Sequence, residues 1–250
     1  MERGSFFSAS RRDAAFWLRV PLYLWMYLMF GVGFVLLTAG TLLPLSARAM
    51  RRWASWLARG WIWVGRGIGS FELEQSGVPA AGGTLMVANH PSLIDVVLLI
   101  ARLEDVCCVV KGDAARAPVV GLLVRRLGWI SNDEPETMLE RSADALRAGE
   151  RLLVFPESTR TVPGEPVRFK LGAAEIAARA DAAVQPILIR YRQRYLSKAC
   201  PWYEFPEEPV YFGISFEAAR IAAAGNGDRR TARRQIARDL QHYFDTRLLA

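Results

Sequence analysis

Histidine and cysteine are scarce in this chain, and neither is arranged to hold a metal ion. The 250 residues include two histidines and three cysteines. His90 and His242 are far apart, and no cluster of histidine and carboxylate has the spacing of zinc ligands. Cys107, Cys108 and Cys200 show no ligand spacing either, and the first two lie in an apolar run typical of a buried strand. The sequence therefore predicts no metal site, argues against a metallohydrolase and favours a reducing compartment.

Charge is missing from 28 consecutive residues, Val20 to Ala47. An α-helix needs about 20 apolar residues to cross a bilayer, whereas the apolar core of a signal peptide has about 7 to 15. The run therefore predicts a membrane-associating helical region, placed at residues 1–70. Arginines flank it on both sides, so positive charge does not orient a single crossing. A single span remains open, as does a hairpin dipping into one leaflet and broken at Gly31, Gly33, Gly40 and Pro44.

Tryptophan and arginine are interspersed in the next segment, "WASWLARGWIWVGRGIG". Trp53, Trp56 and Trp61 are spaced close to a helical period, with arginines between them. Such a helix suits the headgroup interface of a membrane. An ordinary core-facing helix is the alternative.

Basic residues outnumber acidic ones, 32 lysines and arginines against 25 aspartates and glutamates, which gives a net charge of +7. This excess favours anionic partners, namely nucleic acid, an acidic carrier protein or anionic lipid headgroups. The arginines are spread over several predicted helices rather than forming one stripe, and a long uncharged run has no place in a nucleic-acid-binding module. We therefore expect a lipid membrane and a carrier as partners, and no nucleic acid.

After Phe71, short apolar runs alternate with helical stretches. Strands are predicted at 84–88, 106–110, 151–155, 184–189 and 210–216, and helices at about 92–102, 116–127, 135–148, 170–181 and from 228. The alternation predicts an α/β fold over residues 71–250, with a mostly parallel, mixed central sheet flanked by helices.

One predicted junction between a strand and a helix contains a histidine, in "VANHPSLIDVV". Pro91 suits a first helical turn, which Asn89 or Ser92 caps. Five residues of helix rotate a side chain by about 140°, so His90 must precede the helix that holds Asp95. Asp95 can then accept the Nδ1 proton of His90 and leave Nε2 as a general base. A histidine that only caps its own loop is the alternative.

A second polar segment, "FPESTRT", follows the predicted strand at 151–155. Glu157, Ser158, Thr159 and Arg160 therefore emerge at the same carboxyl edge of the sheet, where the two loops are expected to form one cleft. An arginine offers a charged fork to phosphate or carboxylate, and a nearby glutamate holds that fork or binds a hydroxyl. A salt bridge within the loop is the alternative.

Four segments occur together in one order, "NHPSLID" (89–95), "FPESTR" (155–160), "FKLGAAEIA" (169–177) and "VQPI" (184–187). "NHPSLID" matches the H-x-x-x-x-D block of the glycerolipid, or 1-acylglycerol-3-phosphate, acyltransferases, and "FPESTR" resembles their F-P-E-G-T-R block. The other two are similar to the segments that follow in that family. The second block of the family has a lysine, a proline and glycines where this chain has Lys111, Pro118, Gly121 and Gly128. The resemblance runs from about residue 84 to 189 and is specific in combination.

The resemblance implies transfer of a fatty acyl group from acyl carrier protein or coenzyme A to the hydroxyl of a lysolipid, commonly 1-acyl-sn-glycerol-3-phosphate, in membrane lipid synthesis. It implies that His90 takes the acceptor's proton and that Asp95 orients the imidazole, with no bound cofactor. It also implies a substrate-binding set, which comprises Asn89, Ser92, Lys111, Glu157, Ser158, Thr159, Arg160 and Lys170. Such an enzyme is expected at a bacterial-type inner membrane, with its catalytic domain facing the cytoplasm.

The second block departs from the family pattern. An arginine thought to help bind the acceptor phosphate is missing after Gly128, and Asn132, Asp133 and Glu134 take its approximate place. Because carboxylates repel a phosphomonoester, a lyso-ornithine lipid or a polyene-type lipid headgroup is the alternative acceptor. Ser158 also replaces a glycine of the third block. With two blocks altered, a non-catalytic membrane adaptor is the alternative of another class.

Overall fold

The computed structural model describes residues 14–157, 169–193, 195–198, 200–218, 220–221 and 228–248. Two helices come first, and strands and helices alternate after them. The helices are α1 (Ala14–Gly40), α2 (Ala47–Gly67), α3 (Asp95–Leu103), α4 (Gly112–Arg116), α5 (Pro118–Leu127), α6 (Pro135–Arg147), α7 (Gly172–Ala180) and α8 (Arg229–Leu248). The strands are β1 (Phe71–Ser76), β2 (Thr84–Ala88), β3 (Val106–Val110), β4 (Ile130–Ser131), β5 (Arg151–Val154), β6 (Ala183–Tyr191), β7 (Val210–Phe216) and β8 (Arg220–Ile221).

The described strands form one sheet in the order β1-β7-β6-β2-β5-β3-β4, with β8 paired to β6. The strands from β6 to β4 along this order are parallel, and β1 is parallel to β7. The contact between β6 and β7 is antiparallel. The predicted fold class, a mostly parallel but mixed sheet flanked by helices, is therefore confirmed.

Alternate residues of the central strands pack into two apolar layers, one on each face of the sheet. Met86 and Leu153 face a layer that includes residues of α1, α2, α3 and α5. Leu85 and Leu152 face the opposite layer, with residues of α6, α7 and α8. Successive side chains of a strand point to opposite faces, so a strand covered on both sides must be apolar throughout. All five residues of β2 are accordingly buried.

The five predicted strands are present, with ends that differ by at most two residues. The sequence pattern misses β1, β4 and β8. β1 is a polar edge strand in which Phe71 alone is fully buried, and the other two have two residues each. The helix predicted at 116–127 corresponds to α5, and the short α4 before it is missed; Ala117 between the two helices is extended before Pro118.

The uncharged run forms most of α1 and the turn that follows it. α1 continues through its two interior glycines and ends at Gly40, and Pro44 lies in the connection to α2. Trp61 Nε1 donates a hydrogen bond of 3.0 Å to the carbonyl of Met26, so α2 returns along α1 as the second arm of a hairpin. The stretch Trp17–Gly40 is long and apolar enough to cross a membrane.

The second arm of the hairpin, α2, packs against the part of the chain that begins at Phe71 and contains the sheet, which we call the sheet domain. α2 also has exposed tryptophans. Ala54, Ala58 and Ile62 are buried in the same apolar layer as α3. Trp56 and Trp63 are largely exposed. α2 thus combines the core-facing helix and the exposed tryptophans that the sequence offered as alternatives. The predicted boundary between residues 70 and 71 falls between α2 and β1, and the division into two domains stays a prediction.

Candidate active site

Four parallel strands end at the same edge of the sheet, and polar residues follow each of them. His90 comes after β2 and Glu157 after β5, while Lys111 follows β3 and Asn132 follows β4. β2 pairs directly with β5, so the loops of His90 and Glu157 are neighbours. Ligands of open α/β sheets bind at such carboxyl edges.

His90 and Asp95 form a hydrogen-bonded pair. The ring Nδ1 of His90 lies 3.1 Å from Asp95 Oδ2. The imidazole is 17% exposed and the carboxylate is fully buried. An ionised carboxylate accepts the proton on Nδ1, and in that tautomer Nε2 is the proton acceptor of the ring. The pair therefore has the arrangement of an imidazole base held by an acid.

Asp95 is the first residue of α3, where the helix dipole favours negative charge. Its Oδ2 also accepts a hydrogen bond of 2.6 Å from the backbone amide of Ser92. Its Oδ1 is buried and has no hydrogen-bond partner among the described residues. Burial raises the pKa of Asp95, and the hydrogen bonds from His90 and Ser92 oppose that rise. The carboxylate is firmly positioned but poorly solvated.

The loop after β5 restrains His90 in two ways. The Phe155 ring packs against the imidazole, with 4.4 Å between the ring centroids. Glu157 Oε1 accepts a hydrogen bond of 3.1 Å from the backbone amide of His90, and its side chain is almost buried. Phe155 thus limits movement of the ring, and Glu157 limits movement of the main chain that bears it.

The side chains of Asn89 and Ser92 contact the protein backbone, and their role in substrate binding stays a prediction. Both side chains are buried. Asn89 exchanges hydrogen bonds of 2.9 and 2.8 Å with the backbone of Ile189, and Ser92 Oγ donates over 2.8 Å to the carbonyl of Tyr195. They satisfy backbone groups that burial removes from water, and so support the His90 loop. Neither caps α3, whose first turn follows Ile94 without a side-chain cap.

His90 lines a cavity of about 660 Å³, a volume typical of small-molecule sites. Most of the lining is apolar and comes from α3, β3, α6 and α7, and it includes Val96, Val110, Trp129, Met138, Phe155 and Ile176. Lys111, Asn132 and Lys170 add polar groups. The structure therefore brings both lysines of the predicted substrate-binding set to the same cavity as His90.

Cations on the Lys111 side of the cavity are paired with carboxylates. Lys111 Nζ lies 2.8 Å from Asp113 Oδ2, and Arg116 contacts both Asp113 and Asp133. Gly112 permits this approach, since a Cβ there would lie 1.6 Å from Asp133 Oδ1. The four charged side chains, which we call the charged rim, are largely exposed and together carry no net charge.

Three of the predicted substrate-binding residues, Ser158, Thr159 and Arg160, lie outside the described residues. Their roles stay predictions. Among the residues that are described, no group of three histidine, cysteine, aspartate or glutamate side chains is placed to hold a metal ion.

Sequence reasoning misses the aromatic residues of the site. Phe155 and Trp129 line the cavity, but an aromatic residue beside a strand resembles any other core residue. Their position at the carboxyl edge, shared with His90, is the signal that identifies them. Tyr195 holds Ser92 from more than 100 residues away, and no local pattern indicates that contact.

Comparison with known proteins places this site in a family. Residues 71–190, which include His90, Glu157 and most of the cavity lining, match the family model described as Acyltransferase. By this match, residues 71–190 belong to that acyltransferase family.

Individual relatives and one solved structure agree with this placement. The lyso-ornithine lipid O-acyltransferase of Pseudomonas aeruginosa is 34% identical over 155 residues, which cover 60% of this chain and 56% of that protein. The 1-acyl-sn-glycerol-3-phosphate acyltransferase of Helicobacter pylori is 31% identical over 124 residues, which cover 47% of this chain and 52% of that protein. This chain thus spans about half the length of both relatives. The crystal structure of the 1-acyl-sn-glycerophosphate acyltransferase of Thermotoga maritima has a TM-score of 0.65 over 92% of this chain and 97% of that one, at 18% identity, and shows a shared fold.

Proposed function

We propose that this protein transfers a fatty acyl group from a thioester to the hydroxyl of a lysolipid. The observation that carries the proposal is the His90–Asp95 pair, 3.1 Å apart, at the wall of a cavity large enough for a small molecule. A histidine that only caps its own loop needs neither a buried carboxylate partner nor a position at the wall of a cavity. Membership of the acyltransferase family supports the same reaction.

The pair acts as a general base. His90 Nε2 removes the proton of the acceptor hydroxyl while the hydroxyl oxygen attacks the thioester carbonyl. Asp95 retains the Nδ1 proton and stabilises the imidazolium that forms. The carbon–sulfur bond then breaks, and the imidazolium returns its proton to the departing thiolate. The acyl group passes directly from sulfur to oxygen, so no acyl-enzyme and no bound cofactor are required.

The donor in this proposal is a thioester of acyl carrier protein or of coenzyme A. Both present the same carbonyl group to His90, and both are anionic. The net charge of +7 favours association with either carrier.

The first candidate acceptor is 1-acyl-sn-glycerol-3-phosphate. The names of the relatives from Helicobacter pylori and Thermotoga maritima support this choice. Lys111 and Lys170 at the cavity are suited to a phosphate, because an ammonium group donates up to three hydrogen bonds to anionic oxygens.

A lyso-ornithine lipid is the second candidate, and the charged rim favours it. Asp113 and Asp133 already neutralise Lys111 and Arg116, whereas a phosphomonoester requires cations that are not paired. A headgroup with one ammonium and one carboxylate complements a rim that presents both signs. The Pseudomonas aeruginosa relative is named for this acceptor.

The protein attaches to one leaflet in this proposal, with α1 in the plane of the membrane. Near the start of α1, Arg19 donates to the carbonyl of Glu207, and beyond its end Arg126 donates to the carbonyl of Leu43. Both ends of this helix, which is about 40 Å long, therefore contact the sheet domain. A helix that crosses a bilayer has about 30 Å of hydrocarbon between its ends, so one water-facing domain cannot reach both.

These contacts favour attachment to one leaflet over a single span, although the hairpin is formed by α1 and α2 and not by two short helices within the uncharged run. The outer face of α1, including Leu24, Leu28 and Val35, is exposed and apolar, which suits lipid. Because thioester donors are made inside the cell, we place the protein on the cytoplasmic face of a bacterial-type inner membrane.

An acylation assay tests the proposed function. The full chain in phospholipid vesicles is given acyl carrier protein or coenzyme A thioesters together with each candidate acceptor. We expect acylated lipid from the wild type and a loss of at least about 100-fold for His90→Ala, as for removal of a general base. His242→Ala, an exposed histidine on α8, is the control and keeps full activity. No product with either acceptor, or equal rates for wild type and His90→Ala, would contradict the proposal and favour a membrane adaptor.

A further inference from the structure

The connection between β6 and β7 presents two large aromatic side chains to solvent. Trp202 is 65% exposed and Tyr203 is 64% exposed. They lie edge to face, with 5.7 Å between ring centroids. We call residues 200–205 the aromatic loop. Single exposed apolar side chains are ordinary on a protein surface, but an adjoining pair beside a larger apolar surface indicates a binding site.

The aromatic loop is fixed against the membrane-associating helix. The Tyr27 hydroxyl of α1 donates a hydrogen bond of 2.7 Å to the carbonyl of Trp202. Phe205 stacks on Tyr23 of α1, with 5.6 Å between ring centroids. Leu28, the next residue of α1, is exposed. Trp202 and Tyr203 therefore extend the exposed apolar surface of α1 onto the sheet domain.

We infer that the aromatic loop inserts into the headgroup region of a phospholipid bilayer, beside α1. The inference rests on the proposed attachment of α1 in the membrane plane. Tryptophan and tyrosine favour this region because each has an apolar ring and a polar group that remains hydrated. Glu204 and Glu207 flank the aromatic side chains and are exposed, so apolar insertion, not attraction to anionic lipid, drives the contact.

The same connection also reaches the candidate active site. Tyr195, at its start, packs against the rings of Tyr23 and Tyr27 of α1. Its carbonyl accepts the hydrogen bond from Ser92, and the carbonyl of Leu196 accepts one of 3.2 Å from the amide of Leu93. Contact between the aromatic loop and lipid therefore sets how deep the cavity beside His90 lies relative to the lipid headgroups. The acceptor hydroxyl lies at the level of these headgroups.

Fluorescent labels at single introduced cysteines test the contact directly. The labelled positions are Trp202→Cys in the aromatic loop, Leu24→Cys on the outer face of α1 and Val78→Cys, exposed on the connection between β1 and β2. The three native cysteines are buried. The full chain is bound to phosphatidylcholine vesicles with or without lipids brominated in the upper acyl chain. We expect bromine quenching and a blue shift at positions 202 and 24, and neither at 78.

The three labels distinguish a failure of this inference from a failure of the proposed attachment of α1. Quenching at 24 without quenching at 202 would overturn the inference and leave the attachment of α1 intact. No quenching at 24 would overturn the attachment and the inference with it. Equal quenching at all three positions would also overturn the inference, because the loop would then have no specific contact.

Activity of the double variant Trp202→Ala, Tyr203→Ala supplies a second test. We expect KM for acceptor in vesicles to rise at least about tenfold, because burial of even one large apolar side chain accounts for that factor and the variant removes two, with no change for acceptor dispersed in detergent. Val78→Ala is the control and changes neither. An equal loss with both forms of acceptor would overturn the inference, because it would show that the loop acts by supporting Ser92 and not by contacting lipid.

Discussion

The Glu157 carboxylate accepts a hydrogen bond from the backbone amide of His90 at 3.1 Å, across 67 residues of sequence. The bond joins the loop after β2 to the loop after β5 at the point where His90 enters the cavity. Pro91 follows directly and has no amide hydrogen to donate. The His90 amide is therefore the donor that joins this turn to the loop after β5. Glu157 is thus placed to position the imidazole, whatever else it contacts.

The contact predicts different effects for two substitutions of Glu157. Glu157→Gln keeps an oxygen that accepts from the His90 amide, and we expect a loss in kcat of at most about tenfold. Glu157→Ala leaves that amide without this partner, and we expect a loss of about 10- to 100-fold, the range for a hydrogen bond to a charged group. Steady-state kinetics with dispersed acceptor measure both. A rise in KM with unchanged kcat would contradict positioning and indicate that Glu157 binds the acceptor.

Asp95→Asn is expected to reduce activity without reducing the stability of the fold. Burial raises the pKa of Asp95, so the folded chain binds the carboxyl proton more tightly than the unfolded chain. The free energy of unfolding therefore falls as the pH rises from the ordinary aspartate range through the raised pKa. Asparagine is neutral throughout, and we expect a thermal midpoint at least equal to that of the wild type at pH 8. The difference should disappear at acid pH, where the wild-type carboxyl is protonated.

The same variant should be nearly inactive. The asparagine amide donates to Nδ1 and so favours the tautomer whose Nε2 carries the proton, which removes the base and at least about 100-fold of the rate. Thermal melts and rates across the pH range measure both effects. A clearly lower midpoint for Asp95→Asn at pH 8 would contradict the argument on stability.

The parts of the site that could be predicted from the sequence depend on short spacings. His90 and Asp95 are five residues apart, and helical geometry together with the preceding strand was enough to propose their contact. The proximity of Glu157 to His90 depends on the pairing of β2 with β5, which is not encoded locally. The backbone contacts of Asn89 and Ser92 could not be predicted for a similar reason, since their partners lie about 100 residues away.

The strands and helices show the same difference between features that the local sequence predicts and features that it does not. The strands β2, β3, β5 and β6 are mostly buried and β7 alternates between buried and half-buried residues, and all five have largely apolar sequences that predict them. β1 was not predicted, because an edge strand needs few apolar residues and this one contains Glu72 and Glu74. Gly31 and Gly33 do not break α1, since a glycine costs a helix only about 1 kcal/mol, whereas the helix does end at Gly40, another of the predicted breaks.

A buried arginine joins α2 to the sheet domain, and its removal should destabilise the protein. Arg51 is 4% exposed and pairs with Asp105 and, at 3.2 Å, with Glu150. Arg51→Met leaves both carboxylates without this partner, and we expect the free energy of unfolding to fall by about 3 kcal/mol. The exposed neighbour provides the control, since Arg52→Met should change it by no more than about 0.5 kcal/mol. Urea unfolding of both variants in detergent measures the difference, and equal midpoints would contradict the importance of this contact.

The charged rim makes acceptor choice sensitive to one carboxylate. Asp133→Asn removes one of the two carboxylates that pair with Arg116, which leaves the charged rim beside the cavity with a net positive charge. We expect the ratio of kcat/KM for 1-acyl-sn-glycerol-3-phosphate to that for lyso-ornithine lipid to rise about two- to fivefold, as for loss of an exposed ion pair. Asp144→Asn removes the same charge from an exposed pair with Arg147 on α6 and should leave the ratio unchanged. An unaltered ratio in Asp133→Asn, or the same rise in Asp144→Asn, would show that the rim does not select the headgroup.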